Sequence, residues 1–280
     1  MNAIRMLALD LDDTLLRSDL TISFRTRSLI KKASGAGIVI VLASGRVVPA
    51  METYVRQLGL HASRGYVISG NGIEIRESDT GMVVHRKELS GGTAELVYRY
   101  ADAEGFPVQM YEGDRIYVSR HNEYADYDES ITGLKQAVVN DFPGRVAHGC
   151  GKLLIPGDPM ILGPLETILR AYLGDRITLF TSKPYFLEIL PPGTDKGTAL
   201  ARLAEHLGIR REAVMAVGDS MNDEAMIKWA GVGVAMRNGD ERLKSAADLV
   251  TAKSHDEEGV ALLLENLLGE LPPGEGETGP

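Results

Sequence analysis

The feature that most constrains the fold is a series of short apolar runs, each of which ends abruptly in polar residues. The runs stop at "DLDDT" (10–14), "ASGR" (43–46), "SGNG" (69–72) and "GDSMND" (218–223). An apolar run bounded by turn residues is typical of a strand buried inside a parallel sheet. In open parallel sheets, ligands bind beyond the carboxyl ends of the strands. We therefore expect these four ends to meet at one site.

Helical stretches separate the apolar runs in the first and last parts of the chain. Strands that alternate with helices indicate a parallel sheet with helices on both faces. The predicted fold class is therefore α/β, with a Rossmann-like doubly wound parallel sheet as its core. The helices of this core are predicted at 24–36, 49–58, 198–207, 223–229, 241–247 and 257–268.

The middle of the chain breaks this alternation. Helices predicted at 94–103 and 159–172 are interspersed there with short strands of alternating polarity, a pattern that indicates an inserted α+β domain. The predicted core therefore consists of residues 1–83 and 184–270, and the insert of residues 84–183. The tail 271–280 is rich in Pro, Gly and Glu and is predicted to be disordered.

Composition and charge exclude several classes of partner. The formal net charge of -9 argues against binding to nucleic acid or to an anionic membrane, because phosphate backbones attract basic surfaces. Cys150 is the single cysteine, so no intrachain disulfide can form and an oxidising compartment is not indicated. The first apolar run is short and is broken by Asp10, unlike a signal peptide. A cytoplasmic protein is the expectation.

Carboxylates at two strand ends predict a metal site. The alternation of a strand sends Asp10 and Asp12 to the same side, while Asp219 ends another strand and Asp223 follows where a helix begins. Several carboxylates that crowd together repel one another, and a bound cation offsets that cost. Carboxylate oxygens suit Mg²⁺, which prefers octahedral oxygen geometry. The expected cofactor is therefore Mg²⁺.

The same residue types suit phosphoryl transfer. A carboxylate can attack phosphorus and form an aspartyl-phosphate, and an acid two residues away, here Asp12, can protonate the leaving oxygen and later activate water. The transferred group needs donors and positive charge around its oxygens. Ser44 offers a hydroxyl, Gly45 allows its backbone N–H to approach closely, and Lys196 begins a predicted helix where the dipole already favours anions.

Taken together, these residues resemble the haloacid dehalogenase-like superfamily, and most closely its Cof-type phosphatases. The order and spacing of the matching motifs cover the whole chain, and the long insert is similar to the large α/β cap of that group, which implies that the cap selects the substrate. The matching motifs are Asp10-Leu11-Asp12-Asp13-Thr14, Ser44 in "ASGR", Lys196 in "GTDKGTAL" and the full "GDSMND".

The resemblance implies a role for each matching residue. Asp10 would be the nucleophile and a Mg²⁺ ligand, and Asp12 the acid/base that also binds Mg²⁺ through its carbonyl. Asp219 would be a further Mg²⁺ ligand, with Asp223 as its support. The residues expected to bind the phosphate of the substrate are Leu11, Ser44, Gly45, Lys196 and Asn222.

The predicted activity is that of a Mg²⁺-dependent phosphatase, which hydrolyses a small phosphorylated metabolite such as a sugar phosphate or a phosphorylated cofactor. A phosphotransferase or phosphomutase would use the same residues and remains an alternative. A receiver-like phosphoryl acceptor and a non-catalytic binding protein are further alternatives. Asn71 could contact the substrate, but a turn role is favoured because Asn-Gly is a common turn dipeptide. Arg46 either reaches the substrate or pairs with an acid.

Overall fold

The computed structural model describes residues 3–269, so the predicted disordered tail 271–280 lies outside the described residues. Within this range, no helix is both long enough and apolar enough to cross a membrane. The strands are β1 (Met6–Leu9), β2 (Val39–Ala43), β3 (Gly65–Ser69), β4 (Glu74–Glu77), β5 (Val83–Arg86), β6 (Gln109–Glu112), β7 (Arg115–Val118), β8 (Lys135–Val138), β9 (Leu153–Pro156), β10 (Thr178–Lys183), β11 (Phe186–Leu190), β12 (Val214–Gly218), β13 (Val232–Ala235) and β14 (Leu249–Val250).

Ten α-helices connect these strands within the described range. Most begin at a side chain that caps the first turn, such as Ser23 before the first helix and Asp195 before the seventh. The helices are α1 (Phe24–Gly35), α2 (Val48–Gln57), α3 (Gly91–Ala103), α4 (Glu123–Thr132), α5 (Phe142–Val146), α6 (Pro159–Leu173), α7 (Lys196–His206), α8 (Glu224–Trp229), α9 (Glu241–Ala246) and α10 (Gly259–Gly269).

The chain divides into two compact units, and the described part of the first comprises residues 3–45, 52–84 and 195–269. Its sheet has the strand order β14-β13-β12-β1-β2-β3-β4-β5. The strands from β14 to β3 are parallel, which confirms the predicted α/β core. One edge differs from the prediction, because β4 pairs with β3 in the antiparallel direction after a tight turn.

The central strand β1 lies in the interior of the core. All four of its residues are fully buried, as expected for a strand with helices on both faces. Met6 and Ala8 belong to the same buried cluster as Leu200 and Leu203 of α7. Because β1 lies between β12 and β2, the carboxyl ends of three neighbouring strands come together.

The second unit comprises residues 46–51 and 85–194. Its six-stranded sheet has the order β10-β11-β9-β6-β7-β8, and apolar residues of α3 and α6, such as Val97 and Leu165, pack in one cluster with Leu153 and Ile189. The predicted insert ended at residue 183. The structure moves this boundary to 194, because β11 pairs with both β9 and β10 and is therefore part of the second sheet.

Close packing between α7 and α8 yields a prediction about Gly197. Alanine normally stabilises a helix relative to glycine by about 1 kcal/mol, but a Cβ atom at Gly197 would lie 2.4 Å from the backbone carbon of Ala225. Gly197→Ala should therefore lower the free energy of unfolding, by about 1–3 kcal/mol as in other overpacked cores. Urea denaturation followed by circular dichroism measures this change.

Gly35 of α1 provides the matched control, since no neighbouring atom lies within 4 Å of the position that a Cβ atom would occupy there. Gly35→Ala should leave the unfolding free energy unchanged or raise it by up to about 1 kcal/mol. Equal stability of the two variants would show that α7 and α8 are not packed as closely as described.

Candidate active site

The turn after β1 holds the first predicted site residues. The backbone N–H of Asp10 donates to the carbonyl oxygen of Val217 (3.0 Å), which fixes the end of β1 against β12. Residues 11–15 then form a kinked turn and not a regular helix, because Asp12 has an extended backbone (φ -70°, ψ 129°) and Asp13 a left-handed one (φ 58°). Leu11 buries its side chain completely, so only its backbone could contact a substrate. Asp12, which is partly buried, follows Asp10 in the same turn.

Lys196 lies at the centre of the site. Its side chain is completely buried, and its Nζ donates to Asp10 Oδ1 at 2.5 Å and to Asp223 Oδ1 at 2.6 Å. The residue is the first of α7, whose N-terminus is capped by Asp195. Capping fixes the helix start, and thereby the direction from which the lysine enters the site.

Asp223 accepts hydrogen bonds through both of its carboxylate oxygens. While Oδ1 accepts from Lys196, Oδ2 accepts the backbone N–H groups of Asp219 (3.0 Å) and Ser220 (3.1 Å). The carboxylate thus caps the start of the helical segment and holds the turn after β12. Gly218 is required for this arrangement, since a Cβ atom there would lie 2.5 Å from Asp223 Cγ.

Three carboxylates converge beside the lysine. One oxygen each of Asp10, Asp219 and Asp223 lies within 4.8 Å of the others. Asp219 is oriented by Thr14, whose hydroxyl donates to Asp219 Oδ1 at 3.0 Å. The predicted convergence of the ends of β1 and β12 is therefore observed, together with an orienting threonine from the first motif.

Burial governs the protonation of this cluster. It raises the pKa of Asp10 well above the usual range, and the charge of Asp223 adds to this effect while Lys196 opposes it. Burial, followed by the charge of Asp223, likewise raises the pKa of Asp219 to about 7. Burial alone would lower the pKa of Lys196, but the charges of Asp10 and Asp223 outweigh it and raise that pKa. The lysine is therefore a permanent cation here.

The composition of the cluster fits a hard divalent cation. All three residues offer oxygen atoms, the ligand type that Mg²⁺ prefers. When all three carboxylates are ionised, the one lysine leaves two negative charges, which a divalent cation would balance. Both oxygens of Asp223 already accept hydrogen bonds from the protein. The residues that could hold the ion are therefore Asp10 and Asp219, with Asp223 in a supporting position.

The predicted phosphate-binding residues gather near the ends of β2 and β12. Ser44 is buried directly after β2, Gly45 follows it, and Asn222 lies in the turn after β12. Asn222 Nδ2 donates to Asn71 Oδ1 at 3.0 Å, and the hydroxyl of Ser220 donates to Asn222 Oδ1 at 2.6 Å. The sequence favours a turn role for Asn71 over contact with the substrate. The structure confirms the turn but also buries its side chain beside the site.

Arg46 was predicted either to reach the substrate or to pair with an acid. Its guanidinium donates to the backbone carbonyl oxygen of Ile131 at 2.7 Å, and both residues belong to the second unit. Substrate contact and pairing with an acid both stay predictions for Arg46. This contact gives Arg46 a structural role within its unit.

Comparison with known proteins identifies the family. Residues 7–264 match the model of the haloacid dehalogenase-like hydrolases. Phosphatase YwpJ of Bacillus subtilis is 30% identical over 289 residues, which cover 94% of this chain and 100% of that protein. An HMP-PP phosphatase of Enterobacter is 32% identical over 241 residues, or 84% of each chain.

A solved structure shares the fold. The crystal structure of a haloacid dehalogenase-like hydrolase from Bacteroides thetaiotaomicron has a TM-score of 0.89 and 35% identity, and covers 94% of this chain and 99% of that one. The matched region contains all four predicted motifs, so the resemblance and the predicted enzyme class are both confirmed. The chain belongs to the haloacid dehalogenase-like hydrolase family, as a phosphatase of its Cof-type branch.

Proposed function

We propose that this protein is a Mg²⁺-dependent phosphatase that hydrolyses a small phosphorylated metabolite through an aspartyl-phosphate on Asp10. The observation that carries the proposal is the buried Lys196, which bonds to both Asp10 and Asp223 beside Asp219. A carboxylate held in this way has a fixed orientation toward an incoming phosphorus atom. Phosphatase relatives that cover most of the chain support the same chemistry.

The reaction has two displacements. In the first, a carboxylate oxygen of Asp10 forms a bond to phosphorus while the bond from phosphorus to the substrate oxygen breaks. Asp12 gives its proton to that leaving oxygen, so an alcohol departs. In the second, Asp12 takes a proton from water, and the water oxygen attacks phosphorus. The bond between Asp10 and phosphorus then breaks, which restores the carboxylate and releases inorganic phosphate.

Charge around the phosphoryl group determines how fast these steps proceed. A Mg²⁺ ion held by the carboxylates of Asp10 and Asp219 and by the carbonyl of Asp12 would supply positive charge beside the phosphoryl oxygens. Lys196 orients Asp10 and adds a permanent positive charge in a buried setting, where electrostatic interactions are strong. The hydroxyl of Ser44, the N–H of Gly45 and the amide of Asn222 are proposed as donors to the remaining oxygens.

The proposed substrates are small phosphorylated metabolites such as sugar phosphates and phosphorylated cofactors. One relative is named as an HMP-PP phosphatase, so HMP-PP belongs in a test panel. Nucleic acid and membranes are not expected partners, given the net charge of -9. Cytoplasmic location also stays a prediction, supported by the single cysteine. That the inserted segment selects the substrate is likewise a prediction.

Replacing the nucleophile gives the first test of this function. Asp10→Asn retains the size of the side chain but cannot form the acyl phosphate, so phosphate release should fall by more than about 10³-fold. The measurement is inorganic phosphate released with Mg²⁺ from a panel that contains sugar phosphates, phosphorylated cofactors and HMP-PP. Undiminished activity of Asp10→Asn would contradict the proposed intermediate.

Asp13→Asn is the matched control for that test. Asp13 is an exposed acid in the same turn, and its left-handed backbone is one that asparagine adopts readily. This variant should retain most of the wild-type rate. Transfer of phosphate to an added alcohol, with no inorganic phosphate formed, would indicate a phosphotransferase instead.

The proposed metal ligands give a second test, with thermal stability as the readout. A ligand that binds only the folded state raises the melting temperature. We expect saturating Mg²⁺ to raise the melting temperature of the wild type by about 5 °C. Asp219→Asn retains an acceptor for the hydroxyl of Thr14 but removes a charge, so the Mg²⁺-dependent shift should largely disappear.

Differential scanning fluorimetry with and without Mg²⁺ measures this shift, and chelator-treated protein gives the baseline. Asp13→Asn should show the same Mg²⁺ shift as the wild type, since Asp13 is not among the three clustered carboxylates. An equal shift in Asp219→Asn and the wild type would show that the ion binds elsewhere.

A further inference from the structure

The turn between β3 and β4 touches three of the loops that form the candidate site. Asn71, which lies in this turn, is 2% exposed and has a left-handed backbone with φ 57°. Its backbone N–H donates to the carbonyl oxygen of Ser44 at 2.9 Å. The turn is therefore fixed to the end of β2, next to two of the proposed phosphate-binding residues.

The side chain of Asn71 extends to a second loop. Its Oδ1 accepts from Asn222 Nδ2 at 3.0 Å, while Asn222 Oδ1 accepts from the hydroxyl of Ser220 at 2.6 Å. The Asn222 amide is thus held from both sides, and its orientation is determined. An amide NH₂ group has two hydrogens, so one N–H remains as a donor after the bond to Asn71.

Two glycines show how closely the turn is packed. A Cβ atom at Gly45 would lie 2.9 Å from Asn71 Nδ2, so the Asn71 amide lies directly against the backbone after Ser44. Gly72 has φ +108°, and a Cβ atom there would lie 2.4 Å from the carbonyl oxygen of Asp195. Since Asp195 immediately precedes Lys196, the turn also contacts the third loop.

We propose that Asn71 is a positioning residue for phosphoryl binding, and that it acts by orienting the amide of Asn222. This inference rests on the proposed phosphatase function and extends it to a residue outside the four sequence motifs. Asn71 acts through Asn222, and Asn222 donates its remaining N–H to the phosphoryl group. The backbone of the turn has a separate role, because it supports the loops that begin at Ser44 and Asp195.

Asn71→Gly separates these two roles. Glycine readily adopts a left-handed backbone, so the turn should persist while the side-chain contact with Asn222 is lost. The lost contact orients the Asn222 amide, which is proposed to donate to the charged phosphoryl group. We therefore expect kcat/KM to fall by about tenfold. KM and the inhibition constant of inorganic phosphate should both rise by a similar factor. A merely structural role would reduce the fraction of folded enzyme, and hence the apparent kcat, without changing either constant.

A double-mutant cycle tests whether Asn71 acts through Asn222. Asn222→Ala should have at least the effect of Asn71→Gly, and the double variant should lose no more than Asn222→Ala alone. Ile30→Val, in a fully buried position of α1, is the control for a small loss of stability and should leave KM unchanged. Losses that multiply in the double variant, or an unchanged inhibition constant in Asn71→Gly, would overturn the proposal.

The wild-type enzyme separates this inference from the proposed function. If the wild type releases no phosphate from any substrate, both the proposed function and the inference about Asn71 are contradicted. If the wild type is active and Asp10→Asn is not, the function stands, and only the cycle between Asn71 and Asn222 decides the inference.

Discussion

The active site depends on one buried lysine. A charged ammonium group removed from water costs several kcal/mol unless it is paired and hydrogen-bonded, and Lys196 meets this condition with Asp10 and Asp223. These partners lie 186 and 27 residues away along the chain. Because Lys196 bonds to both aspartates, the two ion pairs fix the relative positions of β1, α7 and the turn after β12.

The sheet order makes this pairing possible. Because β12, β1 and β2 are neighbours and run in parallel, their carboxyl ends meet at one edge and each contributes a polar turn. Residues that are distant in sequence thereby come within hydrogen-bonding distance without any long loop. The tight fit of Gly197 against Ala225 and of Gly218 against Asp223 shows that the supporting helices leave little freedom around this edge.

Much of this arrangement could be predicted from the sequence, because local patterns determined it. The ends of buried strands are marked by an abrupt change from apolar to polar residues, and that change located Asp10, Ser44 and Asp219 correctly at strand ends. The strand β11 was missed because it is short and includes Glu188. Its assignment to the second sheet depends on pairing with β9 and β10, a non-local property that no pattern within the strand contains.

Asn71 illustrates a different limit of prediction. Asn-Gly at the end of a strand correctly predicted a turn, but the same dipeptide occurs in solvent-exposed turns throughout proteins. Only the positions of Gly45 and Asn222 reveal that this side chain is enclosed. The available signal was the position of Asn71 directly after the third apolar run, because strand ends that meet at one edge place their turns side by side.

Residues of the same chemical type acquire different roles through their hydrogen bonds. Asp223 uses one oxygen for Lys196 and the other for two backbone N–H groups, so its charge is largely satisfied by the protein. Asp10 accepts from Lys196, and Asp219 accepts from Thr14, in each case through the Oδ1 atom. The second oxygen of each of these two carboxylates is therefore the atom that we propose as a ligand for a cation. The proposed division between ligand and support follows from which donors the fold places beside each acid, because all three acids are aspartates.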